Sequence, residues 1–333
     1  MNIGAIEYFL PENYLTNEQI SKENPEWSID KIASKTGIFT RPIAKEDITS
    51  VDLAYSAAEK LFQNTRIDKN KIDFLLFCTQ SPDYFLPTSA CILQERLGLQ
   101  KSVGALDYNQ GCSGYVYGLA LAKSLVYSHI ADNILLLTGE TYSKFINLKD
   151  KNCRSLFSDG ASATLITKDC GIAKIGDFCL GTDGSGADNL IIRNGAFRNR
   201  ELNGFDIYDN DGNYLRNDNF LYMNGKEIFD FAAKEIPGLV NETLKKNGIK
   251  SDEIDLFVFH QANKYMLNFI RKIMHIPEEK FFINLENTGN TVSATIPIAL
   301  KQAIEDNKIK NGFRVALTGF GVGYSYGSTI LQF

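Results

Sequence analysis

Ile72-Asp73-Phe74-Leu75-Leu76-Phe77-Cys78-Thr79-Gln80 reads as one continuous apolar strand that ends in polar residues, and it occurs twice in altered form. Its echo is Ile254-Asp255-Leu256-Phe257-Val258-Phe259-His260-Gln261, with the same Ile-Asp start and the same polar finish. Further on, Asn109-Gln-Gly-Cys112-Ser lines up with Asn287-Thr-Gly-Asn290-Thr, and Leu137-Thr-Gly139 with Leu317-Thr-Gly319. All three pairings agree on an offset of about 180 residues, the mark of a duplicated, domain-sized unit.

Between the strands lie amphipathic helices. Leu53, Ala54, Ala57, Ala58 and Leu61 form one apolar stripe, and Ile228, Phe229, Ala232, Ile236, Leu239 and Val240 form another that ends near Gly248. Strands without alternation are buried on both faces, so the fold class is α/β with two related halves packed as layers. The expected division is residues 1–170 for the first half and 171–333 for the second, forming one unit. Gly181 to Asn219 is dense in Gly, Asn, Asp and Arg and reads as a long connection, a flap at the substrate mouth.

Composition narrows the function. At 333 residues the chain can bury a full core, and 44% hydrophobic with 23% charged residues is ordinary for a globular protein. A net charge of -5 argues against a nucleic-acid partner. No apolar run reaches membrane-spanning length, and the N-terminus has no basic segment followed by an apolar one, so a cytoplasmic protein is expected. The six cysteines show no C-x-x-C spacing, and none of the three histidines lies near a cysteine pair, so neither a disulfide scaffold nor a metal site is expected.

Cys112 sits between an apolar strand, read over Val103 to Leu106, and a helix marked by Val116, Leu119, Ala120, Lys123 and Val126. Gly111 and Gly114 permit a tight turn there. The positive end of the helix would favour a thiolate and make a nucleophile. The other reading is a buried structural cysteine. His260 and Asn290 also have bland readings, a satisfied histidine after a strand and an Asn that suits a Gly-Asn turn. What unites the three is the repeat, which places them at equivalent strand ends where pseudo-twofold symmetry can bring them to one pocket.

The whole chain resembles the thiolase superfamily and, within it, the β-ketoacyl-acyl carrier protein synthase III group. The resemblance rests on G-C-S-G around Cys112, F-S-D-G-A-S-A at Phe157 to Ala163, F-H-Q-A-N at Phe259 to Asn263, G-N-T at Gly289 to Thr291, and G-F-G-V-G-Y-S-Y-G at Gly319 to Gly327. It implies a thiolase-like fold of two pseudo-symmetric α/β halves in five alternating layers. It also implies a catalytic triad of Cys112, His260 and Asn290, with no cofactor beyond the coenzyme A or phosphopantetheine of the substrate thioesters. Cys112 would take an acyl group, and a malonyl thioester would then lose carbon dioxide and attack it. His260 and Asn290 would donate hydrogen bonds to the enolate oxygen, and the backbone N–H groups of Cys112 and Val322, beside Gly321, would hold the acyl carbonyl oxygen.

Other roles also follow from the resemblance. Asn263 would bond the pantetheine arm, and Phe157 would line the channel or simply pack the core. Lys151, with Arg154 nearby, stands where the family has an adenine-stacking Arg, and Lys cannot stack as a guanidinium does. Trp27 lies too far before Thr36-Gly37-Ile38 to inherit the family's adenine-stacking Trp role. Leu86, in S-P-D-Y-F-L-P, would cap the partner's acyl pocket in a homodimer. An acidic carrier protein would need a basic patch, for which Lys264, Arg271 and Lys272 are candidates; an ordinary solvated helix is the alternative. The partners implied are acyl-CoA or acyl carrier protein.

Two variants remain at this stage, acyl transfer to a non-malonyl acceptor and a non-catalytic subunit of an active paralogue. A degradative thiolase would need a second cysteine near the C-terminus, and none follows Cys179. A hydroxymethylglutaryl-type synthase would need a Glu base, for which Glu140 is the nearby candidate in sequence.

Overall fold

Residues 1–333 are described by a computed structural model. Its first half contributes strands β1 (Asn2–Phe9), β2 (Phe74–Cys78), β3 (Gly104–Tyr108), β4 (Asn133–Glu140) and β5 (Gly160–Thr167). The second contributes β6 (Ala173–Thr182), β7 (Leu256–Phe259), β8 (Phe281–Phe282), β9 (Arg314–Gly321) and β10 (Ser325–Gln332). Five helices matter most: α1 (Ser50–Thr65), α2 (Gly114–Tyr127), α3 (Gly225–Lys246), α4 (Lys264–Ile273) and α5 (Thr295–Glu305).

Hydrogen bonding runs through ten strands in the order β8-β7-β9-β10-β6-β1-β5-β4-β2-β3. Outward from the centre, β1-β5-β4-β2-β3 on one side repeats as β6-β10-β9-β7-β8 on the other. The pairing senses repeat too: β2 is parallel to β3 and β4, and β7 is parallel to β8 and β9. The two five-stranded sheets meet at a short antiparallel seam, Asn2 opposite Lys174 and Ile3 opposite Ala173.

The continuous apolar strands have the physical basis expected, since each face of a sheet meets helices. Leu75 and Phe77 of β2 pack outward under α1, in a core that holds all five residues of its apolar stripe. Leu76 points the other way, into a middle core shared with Tyr115, Val116 and Leu119 of α2 and Ile296, Ala299 and Leu300 of α5. Leu256 and Val258 of β7 enter that middle core from the other sheet, while Phe257 and Phe259 pack outward against α3. Three cores separated by two sheets give the five layers α, β, α, β, α. No helix is long and apolar enough to cross a membrane.

Local signals fix the helix ends. Thr49 and Asp52 form a reciprocal capping box at the start of α1. α3 ends at Lys246, and Gly248 adopts the left-handed φ of +67° just beyond it.

Two expectations need correction. The strand before Cys112 begins at Gly104 and lies at the sheet edge, so Leu106 is 43% exposed instead of buried. The stretch from Gly181 to Asn219 is not a structureless connection. It holds a 3-10 turn (Gly184–Asn189), a pair between Leu190–Ile191 and Tyr222–Met223, and a hairpin of Ile207–Tyr208 with Tyr214–Arg216. It is pinned to the Gly-rich turn by Asp183, which exchanges backbone hydrogen bonds with Tyr324, and by Asn189, whose side chain donates to the Tyr324 hydroxyl at 2.7 Å.

Candidate active site

Cys112 lies on a single 3-10 turn, Gly111–Ser113, between β3 and α2. Two glycines make that turn fit. Gly111 has a φ of +56°, and a Cβ on it would sit 2.5 Å from Gln80 Oε1. A Cβ on Gly114 would lie 2.3 Å from Cys78 Sγ. From the other half, the end of β9 passes over the thiol so closely that a Cβ on Gly321 would be 2.8 Å from Cys112 Sγ. The backbone N–H groups of Val322 and of Cys112 itself both point at the sulfur. Ser113 and Ser325 clamp the two turns together through an Oγ–Oγ contact of 2.7 Å.

The sulfur is nearly closed off, with Cys112 4% exposed. Burial pushes its thiol up to about 12, and the Glu140 carboxylate adds to that push while the Val322 N–H opposes it. The expected thiolate is therefore not the resting form. A helix terminus contributes about 0.3–1 kcal/mol, too little to offset desolvation of a buried anion.

His260 follows β7, and its backbone N–H donates to Thr318 on β9 at 2.8 Å. Its Nδ1 lies 2.7 Å from Thr295 Oγ1, and its ring stands edge-on to Phe320 at 5.8 Å between centroids. Nε2 makes no protein hydrogen bond. Burial drives the ring down to about 3, so it is neutral at physiological pH.

Asn290 is 3% exposed and held by the backbone on both sides. Its N–H donates to Leu156 at 3.1 Å and its carbonyl accepts from Ser158 at 2.9 Å. Gly289 before it has a φ of +60°, and a Cβ there would fall 1.9 Å from Ser158 Oγ. The side-chain Oδ1 accepts the Val292 N–H at 2.9 Å, and the amide NH₂ donates to Ala262 O at 3.4 Å, which leaves one amide hydrogen for a ligand. The turn of Cys112 packs against both the end of β9 and the turn Val292–Ala294 after Asn290. Thus the three candidates share one buried site, built from both halves.

Comparison with known proteins bears on what such a site does. Residues 106–184 match the family described as 3-Oxoacyl-[acyl-carrier-protein (ACP)] synthase III, and residues 244–333 match its C-terminal counterpart. The β-ketoacyl-[acyl-carrier-protein] synthase III of Fusobacterium nucleatum subsp. nucleatum is 37% identical, covering 100% of this chain and 98% of the relative. The synthase III of Clostridium perfringens (strain 13 / Type A) is also 37% identical, over 97% of this chain and 96% of the relative. A 2.1 Å crystal structure of a 3-oxoacyl-(acyl-carrier-protein) synthase III superposes with a TM-score of 0.96 at 47% identity, covering 99% of both chains. This chain belongs to the 3-oxoacyl-[acyl-carrier-protein] synthase III family.

Within this synthase III chain the other predicted residues fall into two groups, those at the site and those drawn away from it. Phe157 is buried beside Asn290, its ring 5.1 Å from Tyr142, whose hydroxyl donates to Gln80 Oε1. Asn263 caps α4, its side-chain oxygen accepting the Met266 N–H at 2.8 Å; only its NH₂ is left for a ligand. Lys151 places its ammonium 6.0 Å from the centroid of the Trp27 ring, and the residues after Trp27 coil into a helix, Ile29–Thr36. Trp27 is itself buried against Ile20 and Ile32.

Arg154 lines a cavity of about 470 Å³ together with Phe157, Leu15 and Tyr14, but its guanidinium is ion-paired with Glu23 and donates to Leu148 O. Arg271 is likewise diverted. It pairs with Glu278 at 3.4 Å and donates to Ile276 O, so it does not offer a free cation beside Lys264. Lys264 packs along Gly37, and Lys272 stays exposed. Leu86 stands 81% exposed, with Phe85 at 77% and packed on Phe197.

Thr295, at the site, carried no sequence signal. Glu140, the candidate base by its place in sequence, is fully buried and accepts from Gln80 N–H, Ser81 Oγ at 3.1 Å and Ser293 Oγ at 2.8 Å. Burial lifts its carboxyl to about 8. All its contacts are structural, so it is not placed as a base for substrate. Tyr265 and Phe269 of α4 are exposed and pack on half-buried Phe229 of α3, on the helix where a basic patch was expected.

Proposed function

We propose that this synthase III condenses an acyl thioester with a malonyl thioester through an acyl-Cys112 intermediate. Cys112 Sγ attacks the donor carbonyl, the new C–S bond replaces the donor's, and the thiol proton ends on the departing thiol. The two N–H groups aimed at the sulfur, of Cys112 and Val322, are placed to hold the carbonyl oxygen. Malonyl thioester then loses carbon dioxide, and its electron pair passes to the thioester enolate. His260 and Asn290 stabilise that oxygen, and the carbanion attacks the acyl carbonyl, the C–S bond breaks, and Cys112 leaves as a thiolate that takes a proton from water. Losing one such donor typically costs about 2.7–4 kcal/mol. The observation that carries this reading is the close passage of Gly321 and Val322 over Cys112, which encloses the thiol between its own backbone N–H and that of Val322 from the other half.

Intact-protein mass spectrometry with a panel of acyl thioesters, followed by a malonyl-carrier chase, tests it. The expected result is an adduct absent from Cys112→Ser and released as a β-ketoacyl product. An adduct that survives the chase would point to another acceptor, and no adduct with any donor to a non-catalytic subunit.

We infer that the chain works as a homodimer in the cytoplasm. The edge of β3, with Leu106 exposed, lies beside the apolar loop Tyr84–Leu86, because Asp107 of β3 accepts from the N–H groups of Ser89 and Ala90 just after that loop. An unpaired edge next to exposed apolar side chains is a surface that natural proteins cover. Light scattering should give twice the chain mass, and Leu86→Asp should lower it. All six cysteines are unpaired, as suits a reducing compartment. Lys264 and Lys272 support carrier-protein docking, with Phe229 and Tyr265 adding apolar contact beside them.

A further inference from the structure

The Thr295 hydroxyl stands between two acceptors and has a single proton to give. It lies 2.7 Å from His260 Nδ1 and 3.1 Å from the carbonyl oxygen of Val292. If the proton goes to Val292, then Nδ1 must carry hydrogen and Nε2 faces the site as a bare lone pair. If it goes to Nδ1, the ring hydrogen sits on Nε2 and faces the site as a donor.

Two features decide between these states. The contact to Nδ1 is the shorter, and the Val292 carbonyl already accepts the backbone N–H of Thr295 at the start of α5. The neighbouring Asn290 is fixed by the same turn, since Val292 N–H occupies its Oδ1, and its NH₂ donates one hydrogen to Ala262 O at 3.4 Å and keeps the other for the site. Val292 holds a φ of +54°, a left-handed conformation costly for a β-branched residue, and it is fully buried. Such strain at a site is sustained where the surroundings require that geometry.

We propose that Thr295 is a positioning residue, donating to His260 Nδ1 so that Nε2 carries the hydrogen, and that the Val292–Thr295 turn thereby presents two matched donors to the enolate oxygen. The proposal deepens the condensing reading and rests on it. Because the ring is neutral, the tautomer alone decides what Nε2 offers. Cys112 acylation makes no use of this donor, whereas decarboxylation depends on it.

The test uses ¹⁵N-labelled full-length protein, in which three histidines give few ring signals, assigned with His129→Gln and His275→Gln. Wild type should show the His260 hydrogen on Nε2. Thr295→Val should shift or mix the tautomer and slow carbon dioxide release from malonyl thioester about tenfold or more. The acylation burst should persist, and Thr295→Ser should restore decarboxylation. Hydrogen on Nδ1 in the wild type would overturn the proposal, as would equal slowing of both half-reactions in Thr295→Val. If that variant does not fold, the wild-type spectrum and Thr295→Ser decide alone. Failure of wild type to take any acyl group would instead remove the condensing reading, and the ring spectrum would still report on Thr295.

Discussion

The turn after β3 and the turn after β8 occupy equivalent places in the two halves, and they have been given opposite tasks. The first carries a thiol under two backbone N–H groups; the second carries an amide whose oxygen is occupied and whose NH₂ keeps one hydrogen beyond its bond to Ala262 O. The strand ends repeat the contrast. Where the second half has His260 just after β7, the first has Cys78 at the last position of β2, buried and packed on Gly114. Where the second has Phe320 against the His260 ring, the first has Glu140, which receives three donors drawn from both halves. One half thus supplies the nucleophile and a rigid polar backing, and the other supplies hydrogen-bond donors. Duplication provided the positions, and side-chain substitution divided the chemistry between them.

That division can be broken most severely at its two active ends. His260→Ala and Asn290→Ala should each cut malonyl decarboxylation by about 10²–10³ while leaving acyl-Cys112 formation intact. Cys78→Ala, at the position equivalent to His260, should leave both half-reactions in place. Separate assays of adduct formation and carbon dioxide release check this, and equal loss for Cys78→Ala would contradict the asymmetry.

Glu140→Gln sharpens the contrast by a smaller amount. Its carboxylate raises the Cys112 thiol, so removing it should move the pH profile of Cys112 alkylation to lower pH. The same change bears on stability. With a folded value of about 8 against an ordinary 4.5, Glu140 keeps a proton that the unfolded chain gives up. Stability should therefore fall as pH rises from 4.5 towards 8, and melting of Glu140→Gln should show a flatter slope over that window. A slope equal to that of wild type would mean that Glu140 is not buried as a neutral acid.

The smallest effects concern the mouth. Lys264→Glu should raise KM for a carrier-protein substrate and spare a coenzyme A substrate. Arg271→Ala, whose charge is already taken by Glu278, should change neither.

Much of this was legible in the sequence because repetition tests itself: three strand-and-turn pairs at one offset fix the symmetry, and the symmetry places Cys112, His260 and Asn290 together. What stayed hidden depends on contacts that no local pattern encodes. The protonation of Cys112 depends on depth of burial, and the helix-end argument, though sound, concerns a smaller energy. Arg271 is captured by a carboxylate seven residues on, beyond the end of its own helix. Trp27 lies beside Lys151, a contact between distant parts of the chain that no spacing encodes. Thr295 bears on His260 through one hydroxyl at a separation of 35 residues, and a Thr at the start of a helix gives no hint of it.

The middle core has a consequence for how the chain reaches this form. The inner face of each sheet is covered by α2 from one half and α5 from the other, so neither half owns a complete set of partners. A first half made alone carries α2 on the inner face of its sheet but lacks α5, whose residues Ile296 to Ala303 belong to the second half. Assembly must wait on contacts between distant parts of the chain, which slows folding and leaves apolar surface open meanwhile. The arrangement that puts two donors opposite one thiol thus also ties the folding of each half to the other.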